Sequence, residues 1–245
     1  MTPLDAEAFL MTTDDGRSLL AQVEASPRPG PAELARWRKK APAEVVSAAV
    51  RLAEARRKGR AKFERTDRMW LDPTGIEQAT AEPVARHKAQ RFRRSSLVVD
   101  LCCGIGGDAL ALAAEADRVI AVDRDEGMAR RALWNANVYE VGDRLSTVVA
   151  DAMQFPIPDG ARLHVDPDRR VEGSRRAAQM LSDYHPGPHA LLDLTERARG
   201  GAIKLGPASD FDAHFYGDRY EVELISLGGE AREATAWFGD LVSCR

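Results

Sequence analysis

The sequence predicts an α/β protein: a Rossmann-like open sheet with helices on both faces, preceded by a small helical domain. Three observations predict it. Residues 97–108, LVVDLCCGIGGD, read as a strand, a glycine turn and the start of a helix. Short apolar runs that each end in an aspartate recur beyond it. Residues 1–70 carry apolar residues at helical spacing.

In the first stretch, Phe9, Leu10, Leu19, Leu20 and Val23 form one apolar pattern. Leu34, Trp37, Val45, Val46, Ala49, Val50 and Leu52 form others, and Pro27, Pro29, Gly30 and Pro31 mark a loop between them. Leu71-Asp72-Pro73-Thr74-Gly75 reads as a turn and sets the expected division: a helical domain over 1–70 and an α/β domain over 71–245. Thr80 suits the N-cap of a helix over roughly 81–93, with Pro83 in its first turn, where a missing N–H is harmless.

Leu97-Val98-Val99 has the apolar character of a buried parallel strand, which Asp100 is expected to end. Cys102 and Cys103 lead into Gly104, Gly106 and Gly107, and Ala109-Leu110-Ala111-Leu112-Ala113 suits the helix that follows. Val119-Ile120-Ala121-Val122 is a second strand, ending in Asp123 and Arg124. Val148-Val149-Ala150 precedes Asp151 and Ala152, and Leu163-His164-Val165 precedes Asp166 and Pro167. Leu191 and its neighbours suit a helix, Ala202–Leu205 a fifth strand, and residues 220–227 and 231–238 a hairpin joined through Gly228 and Gly229.

Open α/β sheets bind ligands at the carboxyl ends of their strands, and glycine lets a ligand approach the backbone with no Cβ in the way. Asp123 suits ribose hydroxyls, and Asp151 suits an adenine amine. Asp100, just before the turn, sits badly beside a pyrophosphate and well beside a cation, which favours S-adenosylmethionine over a nicotinamide cofactor. The competing reading makes these acids helix N-caps. Four of them at successive strand ends favour ligand binding.

Three blocks carry a family resemblance. Residues 99–108, VDLCCGIGGD, are similar to D-x-[FC]-C-G-x-G-G-[ND]. Residues 80–91, TAEPVARHKAQR, are similar to T-P-E-x-I-A-x-H-x-A-x-R, and residues 135–141, NANVYEV, to N-A-x-V-Y-G-V. Over roughly residues 70–170 the chain resembles class I S-adenosylmethionine-dependent methyltransferases, most of all the branch of trimethylguanosine synthases and bacterial proteins with a THUMP-like domain. The resemblance implies a seven-stranded methyltransferase sheet and a cofactor site of Asp100, Cys102, Gly104, Gly106, Gly107, Asp123, Arg124, Asp151 and Ala152. It also implies that the helix after Thr80 covers the cofactor pocket.

Enzymes that methylate base amines carry [D/N/S]-P-P-[aromatic] after the fourth strand. Here the turn reads Asp166-Pro167-Asp168-Arg169-Arg170, without the second proline and the aromatic ring, which counts against guanine N2 as the acceptor. Asp166 is the candidate catalytic residue, as hydrogen-bond acceptor or base. Pro167, Arg169 and Arg170 are candidate substrate contacts, the arginines for a phosphate or carboxylate. Pyrimidine C5 methylation needs a cysteine nucleophile, which this turn lacks. Tyr184, His185 and His189 follow the same turn, and the plainer reading makes them ordinary loop residues.

The 245 residues are 44% hydrophobic, enough for a sizeable core, and contain no apolar run long enough for a membrane span. The N-terminus lacks a signal pattern, so a cytoplasmic protein is expected. Three cysteines without a C-x-x-C indicate neither a zinc site nor a redox motif, and no metal is expected. Net charge is −3, unevenly spread: residues 36–40 read RWRKK, and residues 51–68 hold eight cations against three acids. A basic N-terminal third fits a polyanion, and with the resemblance it points to RNA as partner and methyl acceptor at a base nitrogen. A solvated helix face explains the same charges. The rival functions are a small-molecule or protein methyltransferase and a non-catalytic S-adenosylmethionine-binding module.

Overall fold

The computed structural model describes residues 1–169 and 180–243. It divides into two compact units, Met1–Gln78 and Ala79–Arg245.

The first unit is helical: α1 (Pro3–Thr12), α2 (Asp14–Glu24), α3 (Pro31–Arg38), α4 (Ala43–Gly59) and α5 (Pro73–Gln78). Thr2 and Asp5 form a reciprocal capping box at α1, and the Thr13 hydroxyl caps α2 by accepting from the Gly16 N–H. Leu10, Leu19, Val23, Trp37, Val45, Val46, Leu52, Met69 and Ile76 are buried in the unit's core. Arg56, counted in sequence among the surface cations, is buried too. Its Nε donates to the Met69 carbonyl (3.0 Å), and its guanidinium pairs with Glu24 (2.7 Å). The turn expected at Leu71–Gly75 instead leads into α5, because the Asp72 carboxylate accepts from the Thr74 and Gly75 N–H groups and caps a helix there. Residues 71–78 thus fold with the first unit.

The second unit contains α6 (Glu82–Ala89) with a short 3₁₀ turn (Gln90–Phe92), then β1 (Val98–Leu101), α7 (Gly107–Glu115), β2 (Val119–Asp123), α8 (Glu126–Val138), β3 (Leu145–Val149), β4 (Arg162–Val165), α9 (Pro188–Arg197), β5 (Gly200–Leu205), β6 (Tyr220–Leu227) and β7 (Glu230–Gly239). The seven strands lie in the order β3-β2-β1-β4-β5-β7-β6. The first five are parallel, and β7 runs antiparallel between β5 and β6. Strand order reverses between β1 and β4. Right-handed crossovers running in opposite directions from that point put α7 and α8 on one face and α9 on the other. Doubly wound sheets bind ligands at such a reversal, here the carboxyl ends of β1 and β4.

The interior strands are short apolar runs buried on both faces, as parallel strands must be. Val99, Leu101, Leu163, Val165, Ile203 and Leu205 form the centre of the core, with Leu191 and Leu194 of α9 packed against them. Thr80 does not cap α6. The N-cap is Ala81, and the Thr80 hydroxyl instead donates to Asp108 Oδ2 (2.6 Å). Two pairs outside the apolar core also fasten α6 and its 3₁₀ turn to the β6–β7 hairpin, His87 with Glu223 (2.6 Å) and Arg91 with Glu221 (2.7 Å).

Candidate functional site

The glycine turn lies where the sequence put it, at the carboxyl end of β1. Cys102 and Gly104 take left-handed backbone angles, φ 61° and 55°, and Gly106 takes φ 91°. The two glycines do different work. A Cβ on Gly106 would lie 3.1 Å from the Ala132 Cα of α8, so this glycine lets the turn pack against a helix. A Cβ on Gly104 would meet nothing within 4 Å. That open side of the backbone is where a ligand can approach. Asn135 of α8 secures the turn by donating from its buried amide to the Ile105 carbonyl (3.0 Å).

Asp123, at the end of β2, reaches the same turn. Its Oδ2 accepts from the Gly104 N–H (2.8 Å), and its Oδ1 from the Asp125 N–H (2.9 Å). Burial pushes its carboxyl up, against the pull of these two N–H groups. The carboxylate keeps lone pairs for a diol beyond these two bonds. Asp151 is exposed beyond β3, accepts from the Met153 N–H (2.8 Å) and has half-buried Ala152 beside it. Arg124 is exposed. Burial pushes the thiols of Cys102 and Cys103 up, so neither is a thiolate nucleophile. Cys103 is buried beneath the turn and Cys102 is half-buried.

Asp100 departs from expectation. β1 runs two residues further than its apolar run, to Leu101, which pairs with Val122 and Val165. Asp100 is therefore inside the sheet, fully buried, and only Asp123, Asp151 and Asp166 reach the rim. Its register partner on β4 is His164, and His164 Nδ1 lies 2.6 Å from Asp100 Oδ1. Asp100 Oδ2 is buried with no hydrogen-bond partner among the described residues. Burial pushes this carboxyl up, against the pull of His164.

Around this pair runs a seam of charge that the sequence reading missed. Lys88 of α6 is buried and pairs with Asp108 (2.8 Å) and Glu233 (2.6 Å). Its Nζ lies 3.4 Å from His164 Nε2. Lys204 of β5 lies 4.0 Å from Asp108 Oδ2 and 2.6 Å from Asp166 Oδ2. Burial alone would raise Asp108, but Lys88, His164 and Lys204 hold it well below the usual carboxylate range. Burial opposes the charge on Lys88, yet Asp108 and Glu233 outweigh it and hold its pKa up. Burial likewise opposes a proton on His164, and Asp108 and Asp100 overcome it, so its pKa is raised. The available signal was a charge inside an apolar strand, as in Leu163-His164-Val165 and Ile203-Lys204-Leu205, because such a charge requires a buried partner.

At the turn after β4, the candidate acceptor turn, Asp166 is half-buried and its N–H donates to the Leu101 carbonyl (3.1 Å), which ties it to the end of β1. Pro167 is buried. Asp168 and His185 exchange backbone hydrogen bonds (both 2.9 Å). Arg169 lies over Gly206, where any Cβ would come within 2.9 Å of its Nη1. Tyr184 is a core bracket rather than a pocket wall: its hydroxyl accepts from the Gly206 N–H (3.0 Å) and bonds Ser209. Arg170 lies outside the described residues. A separate shallow groove between α6 and β6, lined by Pro83, Val84, His87 and residues 223–227, contains none of the expected site residues.

The residues present fit S-adenosylmethionine on two observations: the open face of Gly104 beside the Asp123 carboxylate, and the orphaned oxygen of Asp100 below the turn. Among the described residues no group of three or more His, Cys, Asp or Glu side chains is placed to hold a metal. No helix among them is long and apolar enough to cross a membrane.

Residues 95–185 match the family described as RNA cap guanine-N2 methyltransferase. Two uncharacterized S-adenosylmethionine-dependent methyltransferases from Mycobacterium tuberculosis strains are each 37% identical over 174 residues, covering 70% of this chain and 47% of the relative. The chain thus spans about half the length of the curated relatives it matches. A solved putative methyltransferase from Porphyromonas gingivalis W83 superposes with a TM-score of 0.67 at 19% identity, over 92% of this chain and 58% of that one. A possible methylase from Clostridium difficile 630 gives 0.53 at 14% identity, over 69% and 55%. By strand order, glycine turn and these relationships, the second unit has the Rossmann-like fold of methyltransferases and is similar in sequence to S-adenosylmethionine-dependent ones.

Proposed function

We propose that the protein transfers a methyl group from S-adenosylmethionine to a base nitrogen of RNA, within the branch of trimethylguanosine synthases and bacterial proteins with a THUMP-like domain. One observation carries this reading. The match to the RNA cap guanine-N2 methyltransferase family runs over residues 95–185, which include both the glycine turn and the acceptor turn. The basic helical unit supports it, with Arg38, Lys39, Lys40, Arg51, Arg60 and Arg68 exposed. We assign Met1–Gln78 to RNA binding and the sheet unit to chemistry.

The cofactor supplies an electrophilic methyl group; the protein positions the acceptor and excludes water. Gly104, Gly106 and Gly107 with Cys102 form the turn against which the cofactor lies. Asp123 takes the ribose hydroxyls, Asp151 and Ala152 the adenine, and Arg124 shields the open side. Asp100, shut off inside the sheet, would act on the cofactor from beneath the turn rather than by direct contact. Asp166 accepts a hydrogen bond from the acceptor amine and turns its lone pair toward the methyl group. Bound S-adenosylmethionine would supply the methyl group, and Asp166, with solvent, would take the proton that the amine gives up. Asp168 and Arg169 stand where amine methylases have a second proline and an aromatic ring, so stacking on the base needs another residue.

The test is transfer of radiolabelled methyl groups to RNA, protein and small-molecule fractions from cells lacking the gene, followed by nucleoside analysis. Label in RNA at a base nitrogen is expected. Label confined to protein or metabolites overturns the reading. RNA affinity should also fall steeply with salt, by a log–log slope of roughly 0.7 for each phosphate neutralised.

A further inference from the structure

We infer that Lys204 is a positioning residue that sets the direction of the Asp166 carboxylate for the acceptor, using Asp108 as its anchor. The inference rests on the reading of Asp166 as the acceptor-side residue. Lys204 and Asp166 approach one another from adjacent strands. Ile203 pairs with Val165, so the next residue of each strand lies at the carboxyl edge of the sheet. Lys204 is buried along its length, and its Nζ lies 2.6 Å from Asp166 Oδ2.

Burying a lysine in an apolar strand is costly unless its charge is matched. Among its partners are two carboxylates, Asp166 at 2.6 Å and Asp108 at 4.0 Å. Asp108 cannot swing away, because Lys88 and the Thr80 hydroxyl hold both its oxygens (2.8 and 2.6 Å). The ammonium is therefore held near a fixed carboxylate while it bonds Oδ2. Asp166 is fixed at its backbone as well, through its N–H to Leu101. A carboxylate held at its backbone and at one oxygen has little rotational freedom left. No hydrogen bond from the described residues occupies Oδ1, the atom that the fixed geometry offers to an amine. A neutral side chain at 204 would free the carboxylate to rotate and would leave Asp108 with one cation fewer.

Three variants test this on the full chain: Lys204→Met, Lys204→Gln and Lys204→Arg. The readouts are kcat and KM for methyl transfer to RNA, the dissociation constant of S-adenosylmethionine, and a crystal structure. Lys204→Met should lower kcat at least about tenfold, since misplacing a reacting group by an ångström costs up to a hundredfold. Cofactor affinity should stay within about twofold. Lys204→Arg should restore most of the rate, and the Lys204→Met structure should show Asp166 rotated. Lys204→Gln replaces Lys204→Met in every readout if the latter does not fold. An unchanged kcat overturns the inference, as does an unmoved Asp166. A rate loss matched by an equal loss of cofactor affinity also overturns it, since that is a structural effect. If the wild-type protein transfers nothing to RNA, the functional reading fails separately, and the crystal structure alone still decides what Lys204 does to Asp166.

Discussion

His164 and Asp100 face one another across β4 and β1, register partners with Nδ1 and Oδ1 2.6 Å apart and both side chains buried. The pair ties the strand before the glycine turn to the strand before the acceptor turn. The proton on His164 is sustained by Asp108 and Asp100 against burial, which raises its pKa above the usual imidazole range. A raised value means stability that is complete below the unfolded pKa of about 6.5 and is lost as pH rises through the folded one. His164→Gln should therefore cost about 3 kcal/mol at pH 6, as for a buried pair that loses one partner. The gap from wild type should narrow by pH 9. Denaturant titrations at the two pH values check this, and a gap that widens toward alkaline pH contradicts it.

Asp108 gives the opposite sign. Its carboxyl is held well below the usual range by Lys88, His164 and Lys204 against burial. A depressed acid contributes stability above its unfolded pKa of about 4, and that contribution is lost as pH falls toward the folded value. Asp108→Asn should cost about 3–5 kcal/mol at neutral pH by leaving the Lys88 charge under-compensated. The difference from wild type should shrink as pH drops below 4, measurable by thermal unfolding between pH 2 and 7.

The two glycines of the turn should separate function from packing. Gly104→Ala places a Cβ in open space at a left-handed backbone angle, so it should cost only about 1–2 kcal/mol of stability. It should nonetheless weaken S-adenosylmethionine binding at least about tenfold, because the methyl group occupies the approach to the turn. Gly106→Ala meets both the backbone angle and the Ala132 backbone, and should cost about 2–4 kcal/mol. Calorimetric binding beside thermal unfolding distinguishes the two. Normal cofactor affinity in a folded Gly104→Ala protein would make this turn structural only.

Asp123→Ala should lower cofactor affinity by about 1–3 kcal/mol through the lost charge-assisted bonds. It also strips the Gly104 and Asp125 N–H groups of their acceptor. Asp123→Asn keeps one acceptor oxygen and should recover part of the loss. Equal binding by wild type and Asp123→Ala in calorimetry would remove Asp123 from the site.

The apolar start of β1, the glycine turn, Asp123 at the end of β2 and the hairpin of β6 and β7 were legible in sequence because each rests on neighbours close along the chain. An apolar run, a glycine needed for backbone angle and approach, and an acid at a strand end are local facts. The position of Asp100 was not local. Whether a strand stops at residue 99 or runs to 101 depends on what pairs with Leu101, and Val122 and Val165 do. The same holds for Thr80, a good cap by residue type that was drawn off by Asp108.

Sequence by itself determined the order of the strands along the chain, the glycine turn after β1, and the acids Asp123, Asp151 and Asp166, since these follow from short-range pattern and residue chemistry. Tertiary structure alone decided which buried charges meet. Lys88, Asp108, His164, Lys204 and Glu233 come from five separate elements and lie within a few ångströms of one another only after the sheet closes. A sequence shows that each such charge needs a partner, because burial without one is prohibitive. It does not show which partner, because that depends on strand register.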